Sequence, residues 1–97
     1  MKTLELNREE SSKSFQSLLK AVEREKVLSV KTKELNAIAT SITQQCEWCN
    51  AFHVNNALNA GATREETMKA AWIVILMGGG PALMHAGLVL EALDEFA

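Results

Sequence analysis

Two cysteines and one histidine are spaced so that their side chains can act together. Cys46, Cys49 and His53 stand at positions i, i+3 and i+7, which places them on one face of a helix within two turns. The His53 imidazole can then hydrogen-bond the Cys49 thiol, and a slightly irregular first turn would let Cys46 and Cys49 form a disulfide. If the helix begins near Cys46, the positive end of its dipole also favours thiolates, because cysteine pKa values in such settings fall from about 8.5 to about 3.5–7.5. The pattern indicates redox chemistry or metal binding.

A base in such a site needs a partner that orients it, and Glu34 is the candidate. One unbroken helix would hold Glu34 about 28 Å from His53 at 1.5 Å per residue. The two side chains can meet only if the chain reverses between them, and we place the break at Thr43-Gln44-Gln45. The prediction is a carboxylate–imidazole–thiol relay built from two antiparallel helices.

Five helical segments are predicted to position these residues. The first follows Asn7, whose side chain can cap a helix, and extends to residue 26. One of its faces is apolar, and the opposite, polar face is interpreted as a solvated surface. The apolar face consists of Phe15, Leu18, Leu19 and Val22, and the polar face carries Lys13, Gln16, Lys20 and Glu23.

The other helices have recognisable ends. The second begins at Ser29 or Thr32, and the third contains the cysteines and ends at Gly61, a residue type common just after a helix. A T-x-x-E capping box over residues 63–66 begins the fourth helix. A glycine run over residues 78–80 separates it from the fifth, with Pro81 at the first helical position. The apolar positions of the second helix are Leu35, Ile38, Ala39 and Ile42.

The last two helices are too apolar to stand in water alone. Ala70–Met77 is apolar all round, and His85 is the one strongly polar side chain between Pro81 and Leu90. Such helices must be enclosed by their own domain or by another subunit. We therefore expect a homo-oligomer, a trimer or a hexamer, with an extensive subunit interface.

Composition limits the remaining possibilities. The 97 residues suffice for one domain, which we divide into an N-terminal helix over 7–26 and a helical core over 29–97. A net charge of −2 predicts no nucleic-acid partner, and an apolar run of eight residues is far short of the roughly 20 that span a membrane. The N-terminus lacks the apolar segment of a secretory signal, so we expect a cytoplasmic protein whose thiols start out reduced.

The residues Glu34, Cys46, Cys49 and His53 resemble the E…C-x-x-C-x-x-x-H signature of the alkylhydroperoxidase D-like family, within the carboxymuconolactone decarboxylase group. The resemblance extends over residues 29–96, including the glycine run and the C-terminal helix. It implies an all-α fold, in agreement with the five helices predicted above, and we expect no cofactor and no metal.

The same resemblance implies a role for each residue. Cys49 would be the peroxidatic cysteine and Cys46 the resolving one, with His53 deprotonating Cys49 and Glu34 polarising His53. The chain would be a thiol-dependent peroxidase or disulfide oxidoreductase that acts on hydroperoxides and is restored by a dithiol protein, in the family a lipoyl-carrying one. The better-known peroxidases of the family have a histidine just before the second cysteine, where this sequence has Trp48.

Other interpretations of the same residues stay open at this stage. The cysteines could be buried, unreactive thiols. Together with His53 and Glu34, they could instead bind structural zinc. The protein could also be a redox sensor that uses the same thiols. Decarboxylase chemistry of the parent group is a further alternative, although it has no need for the two cysteines.

Overall fold

The structure is a computed structural model that describes residues 9–24 and 26–96. Within these ranges the chain forms helices and no strand, apart from an isolated bridge between Lys26 and Leu28. The predicted all-α fold with five helices is confirmed. The helices are α1 (Glu9–Glu23), α2 (Val30–Thr43), α3 (Glu47–Asn59), α4 (Arg64–Gly78) and α5 (Gly80–Phe96).

The connection between α1 and α2 differs from the prediction. Helix α1 ends at Glu23, three residues before the predicted end, and its predicted cap at Asn7 lies outside the described residues. The Lys33 ammonium group donates hydrogen bonds to the carbonyls of Val22 and Arg24, at 2.7 and 2.8 Å. Lys33 of α2 therefore supplies hydrogen bonds to carbonyl groups at the end of α1, which another helical turn would otherwise have to supply.

The start of α2 and its reversal into α3 follow the predicted pattern. Ser29 is the N-cap, since its hydroxyl accepts a hydrogen bond from the Thr32 N–H, which decides between the two candidate caps. Helix α2 ends at Thr43, and Gln45 adopts a left-handed conformation with φ 56°. The chain then turns back so that α3 lies against α2. The predicted break at residues 43–45 is confirmed.

The later helix boundaries also form as predicted, with one shift. Gly61, at φ 94°, follows α3, and the neighbouring Ala62 N–H closes the turn on the Ala57 carbonyl at 2.9 Å. Both hydrogen bonds of the capping box at residues 63–66 are present. The left-handed Gly79 (φ 68°) separates α4 from α5, and Pro81 is the second residue of α5 because Gly80 begins it.

The core lies between α2, α3, α4 and α5. Among the predicted apolar positions of α2, Ile38 and Ile42 are buried, and Leu35 and Ala39 pack against the core from its edge. Many core side chains are small, which allows the helices to approach closely. The buried apolar residues are Ile38, Ile42, Val54, Ala57, Ala62, Ala71, Val74, Ala82, Ala86, Val89, Ala92 and Leu93.

Several apolar residues of α1, α4 and α5 are exposed in the single chain. Leu76, Met77 and Met84 are 82%, 84% and 77% exposed on α4 and α5. On α1, Leu18 and Val22 are both 58% exposed. The domain's own helices therefore do not cover these surfaces. None of the described helices combines the length and apolar character needed to cross a membrane.

Candidate redox site

The two cysteines are joined as a disulfide at the start of α3. Their Cα atoms are 5.3 Å apart. Cys46 is the N-cap of α3 and has an extended backbone, and its sulfur accepts a hydrogen bond from the Cys49 N–H at 3.2 Å. This departure from helical geometry is the irregularity that a C-x-x-C disulfide requires. It places both sulfurs at the positive end of the helix dipole.

The disulfide is accessible from solvent. Cys49 is exposed and Cys46 is half-buried. Trp48, between them, is 87% exposed and does not pack against the core, contrary to the packing role that its residue type suggests. The interpretation of the cysteines as buried, unreactive thiols is therefore wrong. Neither cysteine is part of the buried core.

Glu34 and His53 are brought into direct contact by the reversal between α2 and α3. The His53 Nδ1 atom lies 2.7 Å from Glu34 Oε2. When Glu34 is ionised, its carboxylate can only accept a hydrogen bond, so Nδ1 then carries the proton and Nε2 is the ring nitrogen that can take up another. Glu34 is almost fully buried, with 1% of its surface exposed.

Contacts of neighbouring residues hold the part of α3 that carries His53. The Phe52 ring meets the imidazole edge to face, with the ring centres 5.0 Å apart. The Asn50 side-chain amide donates to the Ser41 hydroxyl at 3.1 Å, and Ser41 donates to the Ile38 carbonyl at 2.7 Å. Both Asn50 and Ser41 are buried, so this chain of hydrogen bonds ties the start of α3 to the end of α2.

The predicted site residues thus form two pairs. Cys46 is bonded to Cys49, and Glu34 is hydrogen-bonded to His53. The predicted hydrogen bond between His53 and the Cys49 thiol is absent from this oxidised form, in which Cys49 has no thiol proton to give. His53 nevertheless lies one helical turn after Cys49, so the two pairs are neighbours on α3.

Glu23 was missed by the sequence analysis, which placed it on a solvated face of α1. Its side chain is half-buried, and one oxygen from Glu23, one from Glu34 and one His53 nitrogen all lie within 4.8 Å of one another. Burial, followed by a hydrogen bond to Glu34 and the charge of Glu34, raises the pKa of Glu23 from 4.5 to about 7, while His53 acts in the opposite direction. No spacing rule within one helix could have identified this residue, since the three side chains come from three helices.

A cleft of about 510 Å³ opens beside these carboxyl groups, between α1, α2 and α3. Glu23 and Glu34 line it, together with two cationic side chains, Lys20 on α1 and Arg24 just after the end of α1. Asn56 and Asn59 complete its polar wall on α3. The cleft gives the pair of carboxyl groups access to water on the α1 side.

The zinc alternative does not fit this arrangement. It required Cys46, Cys49, His53 and Glu34 as four ligands, but each sulfur is bonded to the other. Among the residues that the structure describes, the group of side chains close enough to share an ion is Glu23, Glu34 and His53, and it contains neither cysteine. In this disulfide-bonded form, the described side chains therefore do not bring both sulfurs, Glu34 and His53 together as the four ligands of a structural zinc site.

Comparison with known proteins identifies the family and several relatives of this chain. The family model of the carboxymuconolactone decarboxylase family matches residues 9–92. The chain is 40% identical over 82 residues to uncharacterized protein 4 in the cox locus of Paracoccus denitrificans, which covers 84% of this chain and 74% of that protein. It is 38% identical over 81 residues to the uncharacterized protein H16_B0147 of Cupriavidus necator, covering 84% and 72%.

Two solved structures share the fold. The apo form of lpg0406, a carboxymuconolactone decarboxylase family protein from Legionella pneumophila, superposes with a TM-score of 0.90 at 38% identity, covering 97% of this chain and 84% of the other. The Thermotoga maritima protein TM1620, described as a family member with a suggested part in the antioxidative response, gives a TM-score of 0.80 at 33% identity, covering 88% and 73%. From the motif, the fold and these matches, the chain belongs to the carboxymuconolactone decarboxylase family, as its resemblance to the alkylhydroperoxidase D-like members indicated.

Proposed function

We propose that this protein is a thiol-dependent peroxidase or disulfide oxidoreductase that reduces hydroperoxides through the Cys46–Cys49 pair. The observation that carries the proposal is an accessible disulfide one helical turn from a histidine that a buried carboxylate orients. Family members are often enzymes, and the antioxidative description of the Thermotoga relative is in line with this chemistry.

The reduced protein would begin the cycle at Cys49, the more exposed of the two cysteines. His53 takes the thiol proton at Nε2, and the resulting imidazolium is stabilised through Nδ1 by Glu34. The Cys49 thiolate attacks the distal oxygen of the hydroperoxide, the O–O bond breaks, and Cys49 becomes a sulfenic acid. The departing alkoxide takes the proton from His53 and leaves as an alcohol.

Cys46 would complete the cycle from its position at the helix N-terminus. Its thiol attacks the Cys49 sulfenic acid, the disulfide forms, and the hydroxyl group leaves with the Cys46 proton as water. A dithiol then reduces the disulfide by exchange and is itself oxidised to a disulfide. A lipoyl-carrying protein supplies such a dithiol, and the reducing cytoplasm is the compartment where the cycle would run.

A thiol count tests this mechanism without knowledge of the natural substrate. The protein is reduced, freed of reductant and treated with one equivalent of an organic hydroperoxide. We expect the two thiols of Cys46 and Cys49 to be lost together and one alcohol to be produced. Cys49→Ser should lose no thiol, whereas Cys46→Ser should stop at a sulfenic acid. Unchanged thiols in the wild type, or equal peroxidase turnover in Cys49→Ser, would refute the assignment.

Turnover separates the peroxidase from the redox-sensor alternative. With dihydrolipoamide as the dithiol, a peroxidase consumes many equivalents of hydroperoxide per chain. A sensor oxidises once and is reduced slowly. Removing the base should lower the peroxide reaction rate at neutral pH, so His53→Ala should be slower than wild type by about 10²-fold or more.

We further propose that the active form is a homo-oligomer, a trimer or a hexamer. The exposed apolar side chains of α4 and α5, including Leu76, Met77 and Met84, provide the surface for it. Sedimentation at micromolar concentration should give a multiple of 10.6 kDa. Leu76→Lys should shift the protein toward the monomer while Leu76→Met should not, and a wild-type monomer would contradict the proposal.

A further inference from the structure

Glu23 belongs to the helix that makes the fewest contacts with the rest of the fold, yet it reaches the most buried carboxylate in the site. The α1 backbone approaches α2 and none of the other described helices. Glu23 is its last residue, and one of its carboxyl oxygens lies within 4.8 Å of an oxygen of Glu34. On the other side, Glu34 accepts from His53 at 2.7 Å. The buried carboxylate therefore has a proton-bearing partner in His53 and a second carboxyl group in Glu23.

Two carboxyl groups can form a hydrogen bond only if one of them carries a proton. Both ionised groups would repel each other, and Glu34 is too buried for water to screen that repulsion well. Retaining one proton converts the repulsion into an attraction. This is the arrangement by which paired carboxyl groups in other proteins keep one member neutral.

The charged groups around Glu23 do not remove the need for that proton. Lys20 and Arg24 of the same chain segment line the cleft, but no ion pair links either of them to Glu23 within the described part of the chain. Lys33 of α2 is occupied by main-chain carbonyls. From α3 the one titratable group facing the pair is His53, and the other residues that line the cleft are uncharged.

We propose that Glu23 is a positioning residue of the Glu34–His53 relay, whose carboxyl group shares one proton with Glu34 and so sets the negative charge that Glu34 presents to His53. While the proton is held, Glu34 is partly neutralised by Glu23. When it is released, two carboxylates face the imidazole and favour its protonated form. A protonated His53 stabilises the Cys49 thiolate and donates to the leaving alkoxide. The reactivity of Cys49 therefore depends on pH through the proton state of Glu23. This consequence rests on the proposed function, whereas the shared proton itself does not.

The shared proton can be observed directly in the oxidised protein. With glutamate labelled by ¹³C at its carboxyl carbon, the wild type should show one resonance that changes near pH 7, where Glu23 titrates. Glu23→Gln keeps the shape and can still donate to Glu34, but it should remove that late change. Glu10→Gln, an exposed position on the same helix, is the matched control and should retain it. If every carboxyl group finishes titrating below about pH 5.5, as unperturbed glutamates do, the proposal is wrong.

A metal ion is the competing explanation for two neighbouring carboxyl groups. Elemental analysis of the wild-type protein and of Glu23→Gln should find no stoichiometric divalent ion in either. An equivalent of such an ion in the wild type that is lost in Glu23→Gln would overturn the proposal, because a cation rather than a proton would then join the carboxylates.

The effect on the thiol is measured as a pH profile of Cys49 alkylation in a Cys46→Ser background. The rates with and without Glu23→Gln should agree near pH 5.5, and the variant should be slower by about threefold at pH 8. Parallel profiles would contradict the coupling of Glu23 to the thiol, since a purely structural role would change all rates by one factor. A protein that shows the late carboxyl titration but loses no thiols to hydroperoxide would contradict the proposed function alone, so the two failures are distinguishable.

Discussion

The raised pKa of Glu23 makes a quantitative prediction about folding stability. Its folded-state pKa is about 7, whereas the ordinary value is 4.5. Below pH 4.5 both the folded and the unfolded chain hold the proton, so the group makes no difference there. As the pH rises from 4.5 to 7, the unfolded chain loses the proton while the folded chain keeps it. The folded state then binds more protons, and its stability must fall over this range.

The size of the loss follows from the same two values. At about 1.4 kcal/mol for each pH unit, the full difference corresponds to about 3.5 kcal/mol. Glu23 is only half-buried and lines an open cleft, so solvent screens much of this energy. We therefore expect a loss of about 1 kcal/mol between pH 4.5 and pH 7.5 that is specific to Glu23.

Urea unfolding of Glu23→Gln and of wild type at pH 4.5, 6 and 7.5 tests this prediction. The glutamine cannot ionise, so the variant should gain stability relative to wild type by about 1 kcal/mol as the pH rises. Glu10→Gln should show no such gain, because the residue is exposed and away from Glu34. If the stability difference between Glu23→Gln and wild type is the same at all three values, the proposed ionisation of Glu23 is incorrect.

Other contacts of the site give predictions for stability at constant pH. His53→Ala leaves the Glu34 carboxylate buried without its partner, so we expect the free energy of unfolding in urea to fall by about 3 kcal/mol. Glu34→Gln should lower it by less. The double variant should lose little more than His53→Ala alone. Ser41→Ala removes the acceptor of the buried Asn50 amide and should cost about 1–3 kcal/mol by the same measurement. Gln45→Gly should raise the thermal midpoint, since glycine adopts φ 56° without the strain of about 1 kcal/mol that a side chain adds there; a lowered midpoint would show that the Gln45 side chain contributes more than its backbone strain costs.

The helix caps and the chain reversal between α2 and α3 could be predicted from residue types. Ser29, the capping box at residues 63–66 and Gly61 each satisfy main-chain groups within a few residues of themselves, so their effect does not depend on the rest of the fold. The same is true of the reversal at residues 43–45, where polar residues end the apolar periodicity. This reversal is what made the contact between Glu34 and His53 predictable, because it brings two specified helix faces together.

The end of α1 and the surroundings of Glu23 depended on contacts between distant segments. Sequence periodicity placed Glu23 opposite the apolar stripe of α1, which describes one helix in isolation. Which face of α1 meets the site is decided by how α1 docks on α2, and Lys33 helps to fix that docking through carbonyls of residues 22 and 24. A main-chain carbonyl carries no sequence signal, so neither the early end of the helix nor the position of Glu23 could be read in advance.

The sequence by itself determined the pair of cysteines, the histidine one turn later and the helix that carries all three, because spacing along one helix specifies which side chains share a face. Only the tertiary structure decided that Glu34 is fully buried, that Cys49 and Trp48 face solvent, and that Glu23 joins the relay from a third helix. Burial and the approach of like charges depend on the packing of all the helices at once. Those two quantities set the proton affinity of the carboxyl groups, and a linear pattern does not contain them.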